Sequence, residues 1–413
     1  MIDSSNSNHA SPQSALIFGK FRLYLSGTAL AMNALRLGAV AQGLLMWELT
    51  GSTLSLGGVA AATAIPMILI NVSGGVLADR YEAKYLLGGS SLIGALLLAV
   101  LGVLTMTETV EPWHVFAVAI FSGFVAGADQ PSRQALLPSL VPQSAIKSAL
   151  TLNGSLLASA SVVAPTLGGL LIAATGLHIG FFVAAIGWVA MFVVTLFLPG
   201  RGTFSTTRSV IADLGTGFSF IRSHQVIFPL TILAFSNMLM GFGWIGILPA
   251  YVERFDGGAR EVGYMFSSAG VGALLGIIVS GRLSPGRFQG RVILGAAAGF
   301  SLIMLVVSNS EILLISMALA TLAHFGNGLF NISALVAVQI RLPEEIRGRV
   351  MGVYAISQSV GLLGGLWTGT LADSLGIRTG MMVGPSILLI MILTILITQK
   401  SVRNLHENPE QEG

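Results

Sequence analysis

The apolar run at residues 22–47 carries one charge in its interior, Arg36, fourteen residues after Arg22 and twelve before Glu48. In a helix rising about 1.5 Å per residue, that puts the guanidinium about 20 Å from either end. A group so deep does not snorkel comfortably to water, and inserting it costs at least about 2.5–3.5 kcal/mol. It must face a cavity, a counter-ion or a ligand. A planar, permanently charged fork of donors suits a carboxylate or phosphate on a transported molecule. The alternative is an ion pair with a carboxylate on another helix. Asn33, Gly43 and Trp47 share the face of Arg36 at i−3, i+7 and i+11, so this face is a candidate channel lining.

Two further groups have titration chemistry. Asp129 is the one carboxylate plainly inside an apolar run, four residues before Arg133. Buried, it is a candidate proton carrier; paired with a cation, it stays ionised and acts as a latch. The segment HFGNGLFN at residues 324–331 places His324, Asn327 and Asn331 at i, i+3 and i+7, on one helix face. Histidine titrates in the physiological range, so His324 is a candidate for the coupled proton or for cargo, or else an interhelical hydrogen-bonding residue. Gln42, Asn71, Asn153, Asn237, Trp244 and Gln358 are further candidates for cavity lining.

No catalytic constellation accompanies these residues. The chain lacks a P-loop, an HExxH pair, clustered metal ligands and a nucleophile elbow, and it has no cysteine. Neither a cofactor nor a metal is expected, and the chain does not read as an enzyme.

The elements that position such residues follow from composition. Of 413 residues, 54% are hydrophobic, 9% are charged and 51 are glycine. A soluble domain carries about 25% charged residues, so a water-soluble globule is excluded and the partner is a lipid bilayer. The formal charge of +3 is scattered over short loops and points to no nucleic acid. The polar first fifteen residues lack the pattern of a cleaved signal peptide.

Apolar runs of spanning length fall at residues 22–47, 54–78, 85–106, 112–131, 148–174, 178–198, 226–251, 262–281, 290–308, 312–338, 348–372 and 379–398, numbered here spans 1 to 12. With both termini in the cytoplasm, 17 basic residues fall on the cytoplasmic side and only Arg254, Arg260 and Arg378 on the outer side, as the positive-inside rule requires. Residues 199–225 form the one long polar interruption, near the midpoint. On either side the sequence repeats weakly at an offset near 200, with TLGGLLIAATG ending at Gly176 and WTGTLADSLG ending at Gly376. The expected architecture is an all-α membrane protein of twelve transmembrane helices in two pseudo-symmetric six-helix bundles, with the substrate site between them. Its parts are a cytoplasmic tail (1–20), a first bundle (21–198), a cytoplasmic linker (199–225), a second bundle (226–398) and a second tail (399–413).

Several motifs carry a resemblance. GGVLADRYEAKYLL at residues 74–87 resembles motif A of the major facilitator superfamily, although Ala83 replaces a common basic residue and the second-half counterpart, SGRLSPGRFQGR, lacks the aspartate. WELTGS (47–52), ADQPSRQALLPSLVP (128–142) and RGRVMGVY (347–354) resemble the enterobactin-exporter and macrolide-efflux branch. VVAPTLGGLL (162–171) is similar to the motif C of the superfamily's exporters, with Ala164 for the usual glycine; it draws attention to Pro165, Gly168 and Gly169 as a kinked packing surface. The resemblance implies a major facilitator fold and a monomer in the bacterial inner membrane, exporting a small molecule against protons. It implies a gating set of Asp79, Arg80 and Lys84 with Asp129 and Arg133, in which Asp129 pairs with Arg80. Anionic, siderophore-like cargo is the first reading; broad drug efflux, lipid translocation or a non-transporting scaffold are the alternatives.

Overall fold

A computed structural model describes residues 14–80, 82–200, 210–283 and 286–406, without the side chains of 72–80, 210–214, 287, 355 and 358. Asp79, Arg80 and Gln358 therefore lie outside the described side chains. The chain is nearly all helix, and the described residues contain no strand. Eleven helical stretches are long and apolar enough to cross a membrane. The first bundle comprises Gly19–Thr50, Thr53–Arg80, Ala83–Met106, Pro112–Leu136, Ile146–Thr175 and Leu177–Phe197, spans 1 to 6. Spans 8, 9, 10 and 12 are Ala259–Ser280, Gln289–Asn309, Leu313–Gln339 and Ile377–Thr398.

Two spans depart from the continuous helices expected. Span 7 runs as Ile227–Ser236, a π-helical turn at Asn237–Gly241, and short helices at Gly243–Gly246 and Leu248–Glu253. Gly241, Gly243, Gly246 and Pro249 supply little helix propensity there, and π turns recur at functional sites. Span 11, which is not among those eleven stretches, breaks at Gly361–Leu363 between Glu344–Val360 and Gly364–Leu375. Within the linker, Val210–Ser223 forms a helix. It lies on the first part of span 11, where a Cβ on Gly217 would meet the carbonyl of Arg349.

The internal repeat reappears in the backbone. Gly176 joins spans 5 and 6 at φ 90° and Gly376 joins spans 11 and 12 at φ 88°, a left-handed region that side chains rarely adopt. Large apolar side chains are exposed on spans 3, 6, 9 and 12, among them Leu96, Ile186, Val306 and Ile390. They form part of the outer surface toward lipid. With twelve crossings the linker helix and both ends of the chain share one side, called here the linker face.

Candidate functional site

Span 1 turns Gly43 and Trp47 toward the second bundle: Gly43 faces Pro249, and the Trp47 indole donates to Glu253 Oε2 at 2.9 Å. Arg36 lies on the same helix face by spacing and is exposed. Its guanidinium reaches Ser161 Oγ on span 5 at 3.4 Å. None of the ion pairs among the described residues includes Arg36. The structural counter-ion that would neutralise it is absent from that set, and the fork of donors remains available. Asn33 spends one N–H on the Ala29 carbonyl at 2.7 Å, and Gln42 is buried in the first bundle.

The far face, opposite the linker, is closed by hydrogen bonds between bundles. Ser52 donates to Asp373 at 3.0 Å and Thr53 to the Gly369 carbonyl at 2.9 Å. Thr166 donates to Ser267 at 2.6 Å, and Ser267 to the Val162 carbonyl. Glycines allow this approach: a Cβ on Gly57 would overlap the Gly365 carbonyl, and one on Gly263 the Pro165 carbonyl. Pro165 and Gly169 sit in the seam with span 8, whereas Gly168 packs on Leu37 within its own bundle. Toward the linker face the pattern changes. Gln130, Gln134, Thr151, Ser155 and Ser159 are exposed, a polar lining in the body of a membrane protein, although Asn71 still donates to Ser359 across spans 2 and 11 at 3.2 Å.

A charged pair lies near the linker face. Both oxygens of Asp129 are taken by Arg133, one turn along the same helix, at 2.7 and 3.0 Å. Arg133 also donates to Thr28 of span 1 at 2.9 Å. Both residues are buried; the pairing of Asp129 with Arg80 that the resemblance implies falls outside the described side chains. Lys84 likewise stays within the first bundle, donating to the Leu196 carbonyl at 3.4 Å, where a cation complements the end of span 6.

In the second bundle, His324, Asn327, Asn237 and Trp244 are buried and do not line the open space in this conformation. His324 sits among Phe242, Trp244 and Phe300, with ring centroids 5.7, 5.4 and 5.5 Å away. Asn331 donates to Asn327 at 2.7 Å, and Asn327 to Asn237 at 2.8 Å. Phe242 and Phe300, and the partners Ser161, Glu253 and Asp373, escaped the reading of the sequence, whereas Trp244 was among its candidates. They come from distant segments, and single serines or acids near helix ends carry no local signal of pairing.

Comparison with known proteins adds family membership to this geometry. The chain matches the model of the transmembrane secretion effector family over residues 10–411. It is 24% identical over 401 residues to the enterobactin exporter EntS of Shigella boydii, covering 95% of this chain and 94% of that one. It is 25% identical over 370 residues to an uncharacterized MFS-type transporter, YfiS, of Bacillus subtilis, covering 86% and 87%. Among solved structures, the nucleoside transporter NupG superposes with a TM-score of 0.74 at 17% identity, covering 92% and 99%. A bacterial homologue of the human lysosomal transporter Spinster, inward-facing and unoccupied, superposes at 0.68 and 13% identity, covering 94% and 96%. Twelve crossings in two related bundles and a family match over nearly the whole length lead to one assignment: the chain belongs to the transmembrane secretion effector family, membrane transporters of the major facilitator fold and not enzymes.

Proposed function

We propose that this protein exports a small anionic, siderophore-like molecule from the bacterial cytoplasm by alternating access, with protons as the counter-ion. Arg36 carries the reading. An arginine at mid-membrane depth, exposed and paired only with a serine hydroxyl among the described residues, has donors to offer a carboxylate or a catecholate oxygen. A broad drug pump would need that charge neutralised by the protein itself. The similarity to enterobactin exporters supports the same cargo class.

The excess of basic residues supports a cytoplasmic linker face, and on that reading the far-face hydrogen bonds belong to an inward-facing form. Cargo enters between the polar linings of spans 4 and 5 and meets Arg36. The far-face bonds then break as the linker side closes, with the motif A turn at Asp79 and Arg80 and the Asp129–Arg133 pair bracing the closed side. A ligand shifts this equilibrium only by binding the two forms unequally. Arg36, on a face that meets span 7 on one side and span 5 on another, is placed to make that difference.

Counterflow in proteoliposomes tests the reading, comparing a catecholate or polycarboxylate siderophore with a lipophilic cationic drug. Siderophore exchange is expected for wild type and lost in a well-folded Arg36→Ala. Drug exchange that survives the substitution, without siderophore exchange in wild type, would replace anion export by broad efflux.

A further inference from the structure

Among the buried polar side-chain atoms of the second bundle without a hydrogen-bond partner are Nε2 of His324, Nε1 of Trp244 and Nδ2 of Asn237. They lie in one part of the fold. The His324 and Trp244 rings are 5.4 Å apart, and Asn237 is bonded to Asn327, one turn from His324 on span 10. Phe242 and Phe300 close the sides.

The polarity of the cage is readable atom by atom. Nδ1 of His324 lies 2.9 Å from the Ala320 carbonyl, which only accepts, so Nδ1 carries a proton. Asn327 accepts from Asn331 and donates to Asn237, so the row of amides ends on an unspent N–H of Asn237. The indole N–H only donates. What remains is the indole N–H and the two N–H groups of the Asn237 amide as donors and, on a neutral imidazole, Nε2 as the one acceptor.

We propose that this cage is the proton-coupling site of the transporter, in which Nε2 of His324 takes the coupled proton only when span 7 has moved away. The proposal rests on the export reading above. A proton on Nε2 turns this one acceptor into a further donor, in an enclosure where the unspent groups of Trp244 and Asn237 only donate, so protonation and the present packing exclude each other. No charged side chain is among the ring contacts of His324. The titratable groups on the neighbouring helices stand near their ends: Tyr251 and Glu253 on span 7, Arg260, Glu261 and Tyr264 on span 8, Arg291 on span 9 and Arg378 on span 12.

Span 7 connects the cage to the gate. Its π turn and the break after it bring Asn237, Phe242 and Trp244 against span 10. The same break seats Gly243 and Gly246 on Gly364 and Gly365 of span 11, and further on it carries Glu253 to Trp47 of the first bundle. Withdrawing Trp244 from His324 therefore pulls on the far-face closure. The proton comes from the outer water to Nε2 when the far face is open, and leaves to the cytoplasmic side when span 7 folds back.

The test uses the full-length protein in proteoliposomes and, in parallel, ¹⁵N-histidine NMR with His324→Gln to assign the resonance. In the far-face-closed form Nε2 is expected at the shift of an unprotonated, hydrogen-bond-accepting nitrogen, and Trp244→Phe is expected to move it. In transport, His324→Gln is expected to split two activities: accumulation driven by a pH gradient is lost, while gradient-free counterflow persists. A protonated Nε2 in the closed form overturns the proposal, as does gradient-driven accumulation at the wild-type level in His324→Gln. Should that variant fail to fold, the wild-type and Trp244→Phe spectra decide. Failure of the export reading has a different signature, the absence of siderophore counterflow in wild type.

Discussion

The two bundles each bury a polar cluster, and the clusters differ in how completely they are satisfied. In the first, Asp129 and Arg133 engage both carboxylate oxygens and reach Thr28. In the second, His324, Trp244 and Asn237 leave three polar atoms unspent. A closed, charged network is rigid, because removing either partner strands a charge in a medium of low dielectric. An open, neutral network has capacity left over, and a change in protonation alters which of its atoms donate. The related folds of the two bundles thus carry different duties, bracing in one and responsiveness in the other.

The largest way to break this comparison is Asp129→Ala. It leaves Arg133 buried and uncompensated, and should cost about 3–5 kcal/mol, with Asp129→Leu together with Arg133→Met recovering most of it. Unfolding of the purified protein in detergent measures both. A single variant of wild-type stability would show that water reaches the pair and that it is no brace. Next is the seam between bundles. Gly263→Val drives a side chain into the Pro165 carbonyl and should disfavour the far-face-closed form by about 1–3 kcal/mol, the usual cost of overpacking. Gly154→Ala, with nothing near its added carbon, should leave that form unchanged. Spin-label distances across the far face distinguish the two; equal distributions would place the hinge elsewhere. Smaller still is Trp47→Phe, which deletes the bond to Glu253 at about 0.5–1.5 kcal/mol. It should raise the open population in the same distance measurement without altering unfolding of the first bundle.

How much of this was legible in the sequence follows the range of each interaction. Spans, linker position and the repeat rest on local composition, and the repeat ending at Gly176 and Gly376 returns as two matching backbone turns. The face bearing Arg36 rests on helical spacing, which is equally local. The π turn of span 7 was hidden, because one extra residue in a turn leaves an apolar pattern almost unaltered. The Asp129–Arg133 pair was visible as an i, i+4 spacing. The enclosure of His324 depends on Phe242 and Phe300, from two other spans, and no periodicity on span 10 encodes that.

The smallest expected effect sharpens the comparison most, since it separates a cluster built for stability from one kept for chemistry. His324→Phe places an aromatic ring of similar shape among Phe242, Trp244 and Phe300. It removes one unsatisfied buried atom and gives up one bond to a carbonyl. Replacing a buried polar group by an apolar one of the same shape is nearly neutral, so unfolding should shift by about 1 kcal/mol or less, in either direction. Beside the several kcal/mol expected at Asp129, that contrast shows the imidazole contributes little to holding the bundle together. A residue whose removal costs little stability, in a cage where an apolar ring would pack as well, is retained for what its nitrogen can bind. A loss as large as that of Asp129→Ala would instead make His324 a structural crosslink, and the two bundles would then differ only in the charge of their braces.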